Sequence, residues 1–160
     1  MVRFAKAYAP PKLISLYSQL VIWLLVLLLL SMAVAQLADL QNFIAILQTY
    51  QLPNNEASSL VVAAILVISE VFALPFLLRM TLSRLMRWFS LLCGWLAVLI
   101  WLGLVWWALS NYLAPANVGY FGEFVNWPLG TVALLYGAIL TVLMALASRL
   151  LRHDFGRKRD

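Results

Sequence analysis

Residues 21–30 read Val-Ile-Trp-Leu-Leu-Val-Leu-Leu-Leu-Leu, ten apolar side chains in succession. Extended on both sides, the apolar run reaches from about Leu13 to Ala35. A helix needs about 20 mostly apolar residues to cross the hydrocarbon of a bilayer. The same test picks out about Ser59 to Leu78, Trp88 to Tyr112 and Pro128 to Leu150. Four spans are expected, all helical, because a lone strand in lipid leaves its backbone unpaired.

Composition agrees. The chain has 160 residues, 65% hydrophobic and 11% charged. Soluble domains run at about 45–50% apolar and about 25% charged. A water-soluble core of this size cannot hide that much apolar surface, and no room is left for a separate soluble module. The expected fold is all-α: one integral membrane domain, a four-helix bundle.

The first span follows basic residues and ends Ala33-Val34-Ala35, which has the look of a signal-peptidase site. Its apolar run is long enough to span, so it reads as a retained anchor.

The net charge is +5, and the eleven basic residues fall in three clusters. Arg3, Lys6 and Lys12 precede the first span. Arg79, Arg84 and Arg87 separate the second from the third. Arg149, Arg152, Arg157, Lys158 and Arg159 close the chain. The other two loops carry Asp39, Glu56 and Glu123 instead. Positive-inside bias therefore puts both termini and the middle loop in the cytoplasm. No basic face with its own fold exists, so nucleic acid is not an expected partner. Tryptophans mark the edges: Trp88 at the cytoplasmic side, and Trp106, Trp107 and Trp127 at the outer side. Trp23, Trp95 and Trp101 lie deeper and read as packing residues.

The first outer loop has its own pattern. Leu37, Leu40, Phe43, Ile44 and Leu47 recur at helical spacing. Pro53 ends the segment and Asn54-Asn55 makes a turn. A short amphipathic helix is expected, lying on the membrane or capping the bundle. The second outer loop sets Pro115, Gly119 and Gly122 among Tyr120, Phe121 and Phe124. Tyr120, Phe121, Phe124, Phe43 and Leu47 are the candidate contacts with other membrane subunits.

Glu70 falls near the middle of the second span. An acid at the bilayer centre costs about 2.5–3.5 kcal/mol on insertion scales. It must face the bundle interior or a wet cavity. Pro75 removes the donor for the Val71 carbonyl, and a kink beside a buried acid makes room for a pocket. Glu70 is therefore either a binding site or a hydrogen-bonding link between helices. Its candidate partners are Gln19, Tyr136 and Thr141, with Ser31 as a further polar group. Gly130, Gly137, Thr141 and Ser148 line one face of the last span and suit close helix packing.

Other chemistry is missing from the sequence. His153 stands in a charged tail, so no metal cluster is expected. One cysteine, Cys93, rules out an internal disulfide. No catalytic set can be assembled.

Two stretches resemble the DoxX/MauE-like family of small membrane proteins. One holds Asp39, Phe43, Tyr50, Pro53 and, within the second span, Glu70. A lysine frequent near the end of the family's first helix corresponds to Gln36 or is absent. The other is Val118-Gly119-Tyr120-Phe121-Gly122, where MauE-type members carry Cys-Gly-Cys-Phe-Gly. Val118 and Tyr120 stand in the two cysteine places. The resemblance implies a four-helix membrane bundle tied to redox processes in a bacterial-type inner membrane. It also implies that the dithiol chemistry is lost, since disulfide exchange needs an attacking thiolate.

Two functions follow. One is a non-catalytic accessory subunit or assembly factor of a larger membrane redox or respiratory complex. The other is a quinone-linked oxidoreductase or electron-transfer component with a pocket near Glu70. No cofactor is required by the first; a quinone or a bound lipid belongs with the second.

Overall fold

A computed structural model describes residues 16–113, 115–125 and 128–152, without the Arg152 side chain. Arg3, Lys6, Lys12, Arg157, Lys158 and Arg159, together with Trp127 and His153, lie outside these residues, whereas Arg149 is an exposed residue of the last helix. The described chain is helical: α1 (Leu16–Ala38), α2 (Leu40–Gln48), α3 (Asn55–Leu77), α4 (Arg84–Ser110) and α5 (Thr131–Arg152). α1, α3, α4 and α5 are each long and apolar enough to cross a membrane. They form a ring in which α1 packs on α3, α3 on α4, α4 on α5 and α5 on α1. This is a multi-pass membrane protein built as a four-helix bundle.

Local chemistry sets the helix ends. The Asp39 carboxylate accepts from the Asn42 N–H at 3.2 Å and starts α2. Ser83 does the same for Met86 at the start of α4. α2 is the amphipathic helix expected between the first two spans. It buries Phe43 and Leu47 and caps one end of the bundle. The last turn of α3 closes through Arg79 N–H to Phe76 O and Met80 N–H to Pro75 O, with Arg79 left-handed at φ 57°. α4 closes the same way, with Tyr112 at φ 53°.

At the Pro75 break the neighbouring helix supplies a hydrogen-bonding group. The Ser90 hydroxyl of α4 accepts from Phe76 N–H at 3.0 Å and donates to Phe72 O at 2.6 Å. A serine from the neighbouring helix is thus inserted into the Phe72–Phe76 rung. Insertion of a side chain into the helical ladder is a recognised cause of bending. Here it lies on the side of α3 that faces α4, and the two cavities described below do not include Glu70.

Small residues bring the helices close. A methyl group on Gly94 would meet Ala73 of α3 at 3.3 Å and the Met144 methyl of α5 at 2.5 Å. One on Gly137 would meet Leu102 at 3.0 Å. Ser148 accepts from the Trp95 indole at 3.1 Å. The small-residue face of α5 is used at Gly137 and Ser148. Gly130, expected on that face, looks into open space. Trp23, expected to pack, is largely exposed on the outside of α1.

These contacts also fix depth. Ala73 lies level with Gly94, and the Trp101 side chain leans toward the start of α4 to reach Glu70. Glu70 is thus level with about Ala97. From Trp88 to Trp106 α4 rises about 27 Å, close to the hydrocarbon thickness. Ala97 is midway along that stretch, so Glu70 lies level with the middle of α4, while α1 reaches it from near its own end through Gln36.

Candidate functional site

Glu70 is completely buried, and everything about it follows from which side chains reach it. The Trp101 indole N–H donates to Glu70 Oε1 at 3.0 Å. The Gln36 amide, from the last turns of α1, donates to the same oxygen at 3.3 Å. Gln36 also donates to the backbone carbonyl of Tyr120 at 3.1 Å. One carboxylate thus ties α1, α3 and α4 together, and Gln36 adds the loop between α4 and α5.

That loop enters the bundle. Val118, Gly119 and Tyr120 are buried. The Tyr120 ring lies between Trp101 and Tyr136, with 4.6 Å between centroids on each side. Its hydroxyl donates to Ala133 O at 3.1 Å. Tyr50, after α2, donates to Val118 O at 2.9 Å, and Trp107 donates to Tyr50 O at 3.0 Å. Burial pushes the Tyr120 hydroxyl above the usual phenol range. It does the same to Tyr50, with Tyr120 adding to the rise. Both therefore remain donors at any physiological pH. Irregular backbone is tolerated at such a place only where protein surrounds it.

Two glycines make the entry possible. Gly119 has φ 90°, and a methyl group on it would meet Ile46 at 2.9 Å. Gly122 has φ 56° and lies against the Ala35 carbonyl, 3.2 Å from where a methyl group would stand. Asn117 holds the turn between them, accepting from Gly119 N–H at 2.9 Å and donating to Gly122 O at 2.7 Å.

Several expected roles change. Gln19 is exposed on the far side of α1 and does not reach Glu70. Ser31 donates to Leu28 O and Thr141 to Gly137 O, each within its own helix. Tyr136 joins the aromatic stack and donates to Met32 Sδ at 3.3 Å. Phe43, Leu47 and Tyr120 are buried inside this chain, so no partner can touch them. Phe121 is half-buried against Tyr136. Only Phe124, 69% exposed, is fully presented.

Gln36 and Trp101 are partners of Glu70 that sequence reasoning misses. Ending the first span at Ala35 assigns Gln36 to a loop, although α1 runs on to Ala38. An indole reads as apolar by hydropathy, yet carries one donor that seeks an acceptor when buried. That property was the available signal for Trp101.

Comparison with protein-family models, curated proteins and solved structures finds no match to this chain. The site must be read from its own chemistry.

Within this cluster two buried atoms have no hydrogen-bond partner among the described residues, Glu70 Oε2 and Gln36 Oε1. Both are acceptors if Glu70 is ionised. A neutral acid with its proton on Oε2 has a donor to offer, which a carboxylate lacks. The cluster can hold helices in register and bind one proton. It has no nucleophile, and no group of metal-binding side chains occurs among the described residues. Cys93 is buried in α4, toward the arginine end and away from the loop. A groove beside α2 is lined by Ile44, Gln48, Glu56 and Leu60, and a narrow cavity lies at the arginine end. Neither reaches Glu70.

Proposed function

We propose that this chain is a non-catalytic membrane subunit or assembly factor of a larger redox or respiratory complex, of the DoxX/MauE-like type. The observation that carries this reading is how the polar groups are spent. Glu70, Gln36, Trp101, Tyr120 and Tyr50 bond to one another or to buried backbone. Little reactive chemistry is left over, while the outward faces of the four helices are apolar along their length. Such faces are met by lipid or by another membrane subunit, through van der Waals packing. The resemblance supplies the redox setting. Tyr120, in a cysteine place, works as a wedge between Trp101 and Tyr136. The quinone reading has less support, because aromatic rings occupy the space beside Glu70.

In mild detergent the protein is expected to co-purify with a stoichiometric membrane partner. Cys93→Ser is expected to leave the activity of that complex unchanged. Purification of the chain alone, with unaided quinone reduction, would refute the proposal.

The arginine end is proposed to be cytoplasmic in a bacterial-type inner membrane, by the charge bias described above. Tyr112, 96% exposed at the loop end, and Leu85, 79% exposed at the arginine end, are suitable reporters. In a Cys93→Ser background, Tyr112→Cys should react with an impermeant maleimide from outside the cell. Leu85→Cys should react only after permeabilisation. The reverse pattern would invert the topology.

A further inference from the structure

The carboxyl of Glu70 and the amide of Gln36 meet at one contact, from Gln36 Nε2 to Glu70 Oε1 at 3.3 Å. Each group carries a second oxygen, Glu70 Oε2 and Gln36 Oε1. Both are buried with no hydrogen-bond partner among the described residues. Each shares its carbon with an atom of the existing contact. Reversing the amide does not cure this. Gln36 Nε2 also donates to the Tyr120 carbonyl at 3.1 Å, so a reversed amide would set its oxygen against two acceptors. Trp101 cannot supply the donor either, because its one N–H goes to Glu70 Oε1 at 3.0 Å.

We propose that Glu70 and Gln36 form a proton-binding site, in which the carboxyl carries its proton on Oε2 and donates it to Gln36 Oε1. An acid and a primary amide can face each other through two hydrogen bonds, amide N–H to acid carbonyl and acid O–H to amide carbonyl. The first of these is in place, and one proton closes the second. Every donor and acceptor is then used. Oε1 accepts from Trp101 and Gln36, the Oε2 hydroxyl donates to Gln36 Oε1, and both Nε2 hydrogens are given away. Loss of the proton to water leaves two buried acceptors with no hydrogen between them, and a charge that the bundle must hold.

The neighbours offer no counter-charge. Tyr120 of the loop and Tyr136 of α5 are the titratable groups that face the cluster, and their hydroxyls donate to Ala133 O and Met32 Sδ. α1 brings Gln36 and Met32, α4 brings Trp101, and α2 sets Phe43 against Trp101. None of these titrates. The described arginines, Arg79, Arg84, Arg87 and Arg149, belong to the opposite end of the bundle. The proton also secures the loop, because the second N–H of Gln36 holds Tyr120 O.

The full chain in neutral detergent is compared with Glu70→Gln by infrared difference spectroscopy at neutral pH. Glutamine keeps the acceptor for Trp101 and gives Gln36 Oε1 an N–H, so it mimics the protonated acid and removes only the carboxyl band. The difference should show a protonated carboxylic carbonyl. The same difference taken in a Gln36→Leu background should show that band at higher frequency, as the acid proton loses its acceptor. A carboxylate band in its place means that the two oxygens share a water or a cation, and overturns the proposal. An acid band that does not move in Gln36→Leu overturns it too, since the proton is then held elsewhere.

A second measurement needs no change at Gln36, should that variant fail to fold. A folded state that keeps a proton which the unfolded chain gives up loses stability as pH rises. The melting temperature of wild type should therefore fall as pH is raised above neutral, and proteolysis of the loop at 115–125 should rise several-fold. Glu70→Gln should show neither change. Parallel pH profiles in the two proteins overturn the proposal.

Discussion

Glu70→Leu is expected to destabilise the protein by about 2–4 kcal/mol, while Glu70→Gln costs about 1 kcal/mol or less. The leucine has no oxygen for the Trp101 indole or for the Gln36 amide hydrogen now directed at Oε1. Each buried donor left without an acceptor costs about 1–3 kcal/mol. Polar contacts between membrane helices average less than this, near 0.6 kcal/mol, because the separated helices find other partners. Two orphaned donors inside the bundle still outweigh the relief of removing an acid from lipid. Glutamine keeps a carbonyl for Trp101 and Gln36, and its amide offers a donor to the unpaired Gln36 Oε1. Thermal melting in detergent separates the two variants. Equal stability of Leu and Gln would mean that the acid holds nothing together.

The other large effect is at Tyr120. Tyr120→Ala should cost about 3–5 kcal/mol, the range for emptying a fully buried aromatic site. The ring packs in tilted contact with both Trp101 and Tyr136, so its removal leaves two aromatic neighbours without their partner. Tyr120→Phe isolates the hydroxyl bond to Ala133 O and should cost about 1 kcal/mol. Phe124→Ala, on the exposed side of the same loop, should stay within about 0.5 kcal/mol. Proteolysis of the loop at 115–125 gives a second readout, rising sharply in Tyr120→Ala alone. An alanine variant that melts like wild type would show that the loop lies on the bundle and does not wedge it.

The four spans were legible because apolar runs of bilayer length are rare outside membranes. The amphipathic helix was legible from Leu40, Phe43, Ile44 and Leu47, whose spacing the structure uses to bury Phe43 and Leu47. The importance of Glu70 was also legible, since an acid in such a run demands a partner. Its partners were not. Hydropathy sorts side chains by how they prefer water, and it files Trp101 with leucine. It also stops a span at the first amide, although α1 continues through Gln36 into the bundle. The loop misled for a different reason. Tyr120 and Phe124 look alike in sequence, and only the left-handed turns at Gly119 and Gly122 send one inward and leave the other outside. Ser90 carried no signal at all, because its role depends on lying opposite Pro75 across two helices.

The serine inserted beside Pro75 bears on which helices are stable on their own in lipid. A solitary α3 in lipid would hold an acid without its Trp101 donor, and a proline-bent backbone without the Ser90 hydroxyl that lies between the Phe72 carbonyl and the Phe76 N–H. Unpaired backbone groups in hydrocarbon cost several kcal/mol each, and the acid adds its own penalty. α4 brings both remedies, Trp101 for the carboxyl and Ser90 for the rung, at positions set by one rigid helix. α3 and α4 are therefore expected to be more stable in lipid as a helical hairpin than as separate segments, since α4 carries polar partners of α3.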